Sequence, residues 1–367
     1  MGDRLVQGNS EAPARMDQLQ FFRFLAFLNV FLQHAPAWNF MNYPTFYATV
    51  SSISFFFILS GVVTGYRGYG AEQKPGAWDV IRYIAGKMLH LFPVYFLVTF
   101  ISFVSSGALV ALAHYRYSEV IPAAVQLLKN LLFLQSWEVS GYNSLAGITW
   151  FFSTIMFLYI FNLPAVYVIN RVNKKKHANW IFIALMGCLF SLTVLYHYKQ
   201  RFSEIMYYKT YVFPPARLGE YFLGILLGFL VRKNWSKAAV CKNKKTVFTI
   251  MECAVIIFWL RTIQAEVNTG PFYWGAYAVY WVLPNILLLF VFSFGFGMVS
   301  SIFRNRLLVR MGDITVNCVL LHVTVITIYC QITGLTGGGS RMVCVVSLGI
   351  CLLITVLMAS LMTPKKS

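Results

Sequence analysis

The sequence predicts an all-α protein, a polytopic bundle of about ten transmembrane helices with both termini in the cytoplasm. Three observations lead there. Hydrophobic residues make up 58% of the chain and charged residues only 11%, where a soluble domain carries about 25% charged residues. Apolar runs of roughly twenty residues, the length that crosses a bilayer as a helix, recur to the end of the chain. Lys and Arg gather in every second loop, the pattern of cytoplasmic loops.

The elements follow in order. A hydrophilic N-terminal tail spans 1–16, and one membrane domain spans 17–367. The tail has no apolar core and is not expected to be a signal peptide. Its first six residues do not fit the myristoylation pattern. The first spans are expected at 21–38 and 47–66, followed by a loop with Arg67, Lys74 and Arg82. A third span at 83–104 returns outward. Residues 121–137 are apolar with Lys129 among them, too short for a comfortable span, so an interfacial or re-entrant helix is expected. A fourth span at 148–169 ends at the basic run Arg171-Val172-Asn173-Lys174-Lys175-Lys176. Spans at 179–197 and 213–231 precede a second basic loop, 232–245. Spans at 246–263 and 276–299 precede Arg304, Arg306 and Arg310. The last two, at 313–333 and 342–362, flank a turn with Gly337, Gly338 and Gly339.

The formal charge of +18 belongs to these loops and gives no nucleic-acid patch. Cysteines 188, 253, 318, 330, 344 and 351 fall in apolar runs and Cys241 in a basic loop. No CxxC pair or Cys/His cluster occurs, so neither a disulfide framework nor a metal site is expected. Walker, GxSxG and HExxH motifs are missing from the sequence. A GxG at 295–297 falls within an expected span and reads as packing.

Polar residues inside apolar runs are the functional candidates, because such placements are costly in lipid. Arg23 and His34 lie eleven residues apart on the first span. That is almost three helical turns, which puts them on one face roughly 16 Å apart along the axis. Snorkelling to the headgroups would explain Arg23 alone, and a neutral histidine near the outer interface would explain His34 alone. Together they suggest a polar track, with His34 suited to general-base chemistry. Ser60-Gly61 reads either as a site element or as small-residue helix packing. Arg82, Lys87 and His90 read either as a phosphate clamp or as a positive flank. Arg217 and Glu220, three apart, read either as an internal ion pair or as substrate-facing groups. His322 lies well inside its run, and Asp313, nine residues earlier, does not share its face. Glu252 is the costliest placement and has no partner legible in the sequence.

In order along the chain, these residues carry a resemblance. Arg23 and His34 with ten residues between them, Phe56-Phe57-Ile58-Leu59-Ser60-Gly61, and Lys87-Met88-Leu89-His90-Leu91-Phe92-Pro93-Val94-Tyr95 come first. Thr149-Trp150-Phe151-Phe152-Ser153 with Tyr159, Arg217-Leu218-Gly219-Glu220-Tyr221-Phe222-Leu223-Gly224, and Gly312-Asp313-Ile314-Thr315 with Leu320-Leu321-His322 follow. The set resembles the integral-membrane acyltransferase family 3, bacterial multi-span O-acyltransferases that modify envelope polysaccharides. His90 stands where that family usually has arginine. Ile155 and Met156 stand where many members carry glutamates, and Val316 and Val319 replace aromatic residues.

The resemblance implies a multi-pass protein of the cell (cytoplasmic or inner) membrane that takes acetyl-CoA, or another acyl-CoA, as donor. Arg23, Arg82, Lys87 and His90 are then expected to hold the donor, with His34 the general base. Ser60, Arg217, Glu220 and His322 are expected to line the substrate pocket. The acceptor is expected to be a hydroxyl of an envelope or extracellular polysaccharide or its lipid-linked precursor. The competing readings are a transporter or flippase, whose polar residues form a permeation path, and a non-catalytic part of a polysaccharide export system.

Overall fold

A computed structural model describes residues 15–34, 45–106, 113–114, 117–145, 147–269, 276–335 and 340–364, and every regular element among them is helical. The helices are α1 (Gln18–His34), α2 (Thr45–Gly68), α3 (Ala77–Ser105), α4 (Tyr117–Leu131), α5 (Trp150–Tyr159), α6 (Asn162–Asn173) and α7 (Ala178–Gln200). They continue as α8 (Leu218–Ala239), α9 (Lys244–Thr269), α10 (Ala276–Phe294), α11 (Met298–Phe303), α12 (Arg306–Thr333) and α13 (Arg341–Met362).

Length and composition qualify six of these as membrane spans among the described residues, or seven if the bent pair α5–α6 counts as one. Of the helices that fall short, α1, α8 and α10 lie among the inner ones. The bundle has a protein-facing centre and a lipid-facing rim. In α2, 78% of the apolar window is buried, against 17% in α7 and α9 and 22% in α3 and α13. A helix wrapped by other helices has no need of a uniformly apolar surface. Charge and hydropathy therefore mark the rim more clearly than the centre.

Several expected spans have different outlines. The span at 148–169 is two helices meeting at 43°. Pro164 has no N–H for the carbonyl of Ile160 and its ring crowds that carbonyl, so the chain breaks at 160–161. The span at 213–231 begins later, after a wide turn at Tyr208–Val212 and a tight one at Pro214–Arg217, and runs on to Ala239. The span at 276–299 stops at Phe294, because Gly295 takes the left-handed conformation (φ 69°). The GxG thus ends a helix rather than lying inside one. Of the stretch expected to be interfacial or re-entrant, the structure gives α4 followed by a short turn at Gln135–Trp137. The glycine turn at 337–339 lies outside the described residues.

The closest helix pair is α2 against α8. Gly61 and Gly65 on α2 face Gly224 and Gly228 on α8, each pair four residues apart. A Cβ on Gly61 would strike the carbonyl oxygen of Tyr221, and one on Gly224 would strike that of Ile58. The small residues let the two backbones touch. For Gly61 the packing reading of the sequence is the right one. Polar residues tie the centre together. Asn285 of α10 donates to the carbonyl of Ser51 (2.9 Å) and accepts from Trp259 of α9 (3.2 Å), and Thr49 of α2 donates to the carbonyl of Asn29 of α1 (3.1 Å).

Between α3 and α5, the described residues around Asn130 and Gln135 are tied to the flanking helices by hydrogen bonds. Tyr95 donates to the carbonyl of Asn130 (2.9 Å) and accepts from Gln135 (2.9 Å), which also donates to the carbonyl of Thr149 (2.8 Å). Ser153 donates to the carbonyl of Phe133 (2.6 Å), and the Tyr95 and Phe133 rings stack at 4.4 Å.

Candidate active site

Between α1, α2, α3, α5, α6, α8 and α12 lies a cavity of about 1090 Å³. Arg23 and His34 both line it, as their shared helical face requires. At the end where the basic loops converge, its lining includes Arg15, Arg67, Lys87 and Arg232, with the carboxylates of Asp79 and Asp313 among them. Arg15 pairs with Asp313 (2.6 Å) and Asp17 (2.7 Å), fastening the chain ahead of α1 to the start of α12. Arg23, one turn into α1, is half-buried and donates to Gln20 (2.7 Å).

One stretch of the cavity wall is apolar and aromatic, with Phe56, Leu59, Val63, Leu91, Ile155 and Tyr159. Ser60 faces the cavity. Asn162 donates to Tyr83 (2.7 Å) and accepts from Tyr221, whose hydroxyl also meets Thr64 (3.4 Å). This chain of hydroxyls and an amide crosses from α3 through α6 and α8 to α2, fixing the wall that holds Ser60. The lining also includes Gln33, Thr49, Trp150, Tyr207 and Tyr211.

The hydrogen bonds of His34 define its chemistry. Its Nδ1 lies 2.8 Å from the carbonyl oxygen of Val30. A carbonyl oxygen only accepts, so Nδ1 carries the hydrogen and Nε2 keeps its lone pair. The imidazole is therefore in the tautomer that a proton acceptor at Nε2 needs.

The other expected site residues divide. Lys87 lines the cavity with Tyr83 and Leu91, one stripe of α3, and its ammonium sits over the Tyr83 ring at 5.2 Å. Arg82 and His90 are exposed and are not part of this lining; Arg82 rests over Trp78 (5.5 Å). His322 is fully buried behind His34, its Nε2 3.4 Å from His34 Nδ1. Arg217 and Glu220 are also fully buried, and they bond to each other at 2.9 Å. Arg217 donates to the carbonyl of Tyr211 (2.9 Å) and lies over the Tyr211 ring at 4.8 Å. The pair stands behind the wall that Tyr211 forms, and neither residue is part of the lining.

Sequence reasoning assigned no site role to Arg15, Arg67, Asp79, Tyr207, Tyr211 or Arg232. Arg67 and Arg232 were counted as loop charges, yet each continues the helix whose glycines make the α2–α8 crossing. That shared crossing was the available signal. Among the described residues no group of three or more His, Cys, Asp or Glu is placed to hold a metal ion.

Apolar helices around a cavity that is basic at one end and carries His34 define a multi-pass membrane protein with a reaction or transport site. The model of the acyltransferase 3 family, described as an acyltransferase domain, matches residues 16–361. The chain belongs to that family and is a membrane acyltransferase. Comparison with curated proteins and with solved structures finds no match.

Proposed function

We propose that the protein transfers an acyl group, acetyl in the simplest case, from acyl-CoA to a hydroxyl of an envelope or extracellular polysaccharide or its lipid-linked precursor, at the inner membrane. The observation that carries this reading is that one cavity joins a cluster of cations to the bare Nε2 of His34.

The lining suits both substrates. Arg15, Arg23, Arg67, Lys87 and Arg232 offer charge and directed N–H groups to the phosphates of a nucleotide thioester, and their basic end would face the cytoplasm. The apolar stretch of the wall suits a slender, weakly polar arm. The cavity reaches the upper end of the roughly 300–1,000 Å³ of ordinary ligand pockets, as holding a donor and an acceptor together requires. When bound, the thioester supplies the activated acyl group and a good leaving thiolate. His34 Nε2 takes the proton of the acceptor hydroxyl as its oxygen attacks the thioester carbonyl, then returns that proton to the departing thiolate. Trp150, Tyr207 and Tyr211, which line the same cavity as His34, give the acceptor aromatic faces.

The test is release of coenzyme A from acetyl-CoA by the purified protein, with an isolated envelope glycan as acceptor. His34→Ala is expected to lower turnover about 10²–10⁴-fold with the KM for acetyl-CoA little changed. Wild-type turnover in His34→Ala removes His34 as the base. Passage of glycan across proteoliposomes without acyl donor, and no coenzyme A release, favours a transporter.

A further inference from the structure

We propose that His322 is a positioning residue, holding the His34 imidazole in its reactive tautomer through the lone pair on its own Nε2. The proposal rests on the reading of His34 as the general base and adds a residue that touches neither substrate.

The hydrogen bonds of His322 fix its state as those of His34 do. Its Nδ1 lies 2.8 Å from the carbonyl oxygen of Val319, so Nδ1 carries the hydrogen and Nε2 is an acceptor. That acceptor faces His34 Nδ1 at 3.4 Å. The His34 N–H is therefore shared between Val30 O as the short branch and His322 Nε2 as the long one. The rings meet edge to face, with centroids 5.1 Å apart at 73°.

Both partners of His34 Nδ1 are acceptors, so a hydrogen on that nitrogen has two places to go and a lone pair there has none. The opposite tautomer would set a lone pair against a carbonyl oxygen and a second imidazole lone pair. His322 thus does for His34 what a buried carboxylate does for the histidine of a hydrolase triad, without adding a charge. As Nε2 of His34 gains the acceptor's proton, its Nδ1–H becomes a stronger donor and the long branch tightens, as catalytic hydrogen bonds do on the way to the transition state.

His322 is itself confined. It is fully buried, the Phe27 and Phe31 rings flank it at 5.8 Å and 6.2 Å, and it is not part of the cavity lining. It can act on the reaction through His34.

Two substitutions separate its bonds. Asn at 322 can keep the donor to the Val319 carbonyl but is too short to reach His34. Gln places an amide oxygen near the lost Nε2. The first measurement uses the wild-type protein: ¹⁵N spectra of histidine-labelled protein, with His34 assigned from the His34→Asn spectrum. His34 is expected with the hydrogen on Nδ1 at neutral pH, and a hydrogen on Nε2 overturns the proposal before any variant is made. In His322→Asn, where Val30 O alone still holds the hydrogen on Nδ1, that form is expected to remain the major one while a minor form with the hydrogen on Nε2 appears, with kcat down about 10- to 100-fold and the KM for acetyl-CoA unchanged. His322→Gln is expected to restore a single tautomer and most of kcat. An unaltered His34 spectrum in His322→Asn, or a rise in KM alone, overturns the proposal. Failure of the wild-type protein to turn over acetyl-CoA counts against the proposed function, and the spectra still decide the relation between the two histidines.

Discussion

Glu252, in the middle of α9, accepts hydrogen bonds from both the backbone N–H (3.2 Å) and the hydroxyl of Ser300, at the start of α11. The N–H groups of Gly297 (3.2 Å) and Val299 (3.0 Å) point to the same carboxylate, and Thr249, one turn earlier, accepts from Met298 (2.9 Å). The first N–H groups of a helix have no partner within it. Here a neighbouring helix supplies one. The costliest residue of the sequence is therefore a structural one, satisfied by four donors around a sharp turn.

Removing that carboxylate strands those donors in a buried place. Glu252→Ala is expected to destabilise the protein by about 2–4 kcal/mol, since hydrogen bonds to a charged group are worth about 1.5–3 kcal/mol each and the turn can relax only in part. Thermal denaturation in detergent checks it. The KM for acyl-CoA of the surviving folded protein is expected to stay at the wild-type value, because Glu252 is not part of the cavity wall.

The α2–α8 crossing sets a second expectation. Gly61→Ala or Gly224→Ala places a methyl group against backbone atoms that no side-chain movement can clear. Each is expected to cost about 1–3 kcal/mol as overpacking, and to lower turnover by moving Ser60 and Tyr221. Gly86 of α3 is the matched control. A Cβ there meets nothing within 4 Å, so Gly86→Ala is expected to stabilise the helix by about 0.5–1 kcal/mol. Equal thermal shifts in all three variants would mean that helix propensity, not the crossing, governs.

The fold class and the order of most helices were legible because lipid-facing helices advertise themselves by composition, as α3 and α13 do. So was the Arg23–His34 pairing, which needs only the helical repeat. The breaks at 160–161 and at Gly295 depended on Pro164 and the glycine, whose signals were present but overruled by the apolar run. Glu252 was opaque because three of its four donors are backbone N–H groups 45 to 48 residues away, which carry no side-chain signature, and the fourth is the hydroxyl of Ser300, one serine among many. Lys87 and His90 are three apart, yet that spacing leaves them about 60° out of line, and only Lys87 faces the cavity. Burial of the Arg217–Glu220 pair was equally hidden, since the spacing of an ion pair is the same in a wall and in a pocket.

That burial has a measurable consequence. Taking one partner from a buried ion pair leaves the other charge uncompensated, at a cost of about 3–5 kcal/mol. Arg217→Met and Glu220→Leu are each expected to show a loss of that order in thermal or denaturant unfolding. The double variant is expected to be more stable than either single one, because it strands no charge. Recovery of stability without recovery of turnover would show that Arg217 also positions Tyr211, whose carbonyl and ring it holds. Additive losses in the double variant would contradict the pairing.

The basic end of the cavity gives the last expectation, and it separates cations that the sequence grouped together. Arg67 and Lys87 line the cavity, whereas Arg82 and His90 are exposed on α3 away from it. If the donor's phosphates seat in the mouth, Arg67→Ala and Lys87→Ala each remove a directed charge. The KM for acetyl-CoA is then expected to rise about tenfold in each, equivalent to about 1.4 kcal/mol, with kcat nearly unchanged, because a contact made equally in ground and transition states affects binding alone. Salt weakens such contacts by screening, so the wild-type KM is expected to climb with ionic strength and to climb less steeply in either variant. Arg82→Ala and His90→Ala are expected to leave KM and its salt dependence within twofold of wild type, about 0.4 kcal/mol. A set of steady-state curves at two ionic strengths settles the matter. Should Arg82→Ala raise KM as much as Lys87→Ala, the donor lies along the outer face of α3 and not in the cavity, and the path from the cations to His34 loses its purpose.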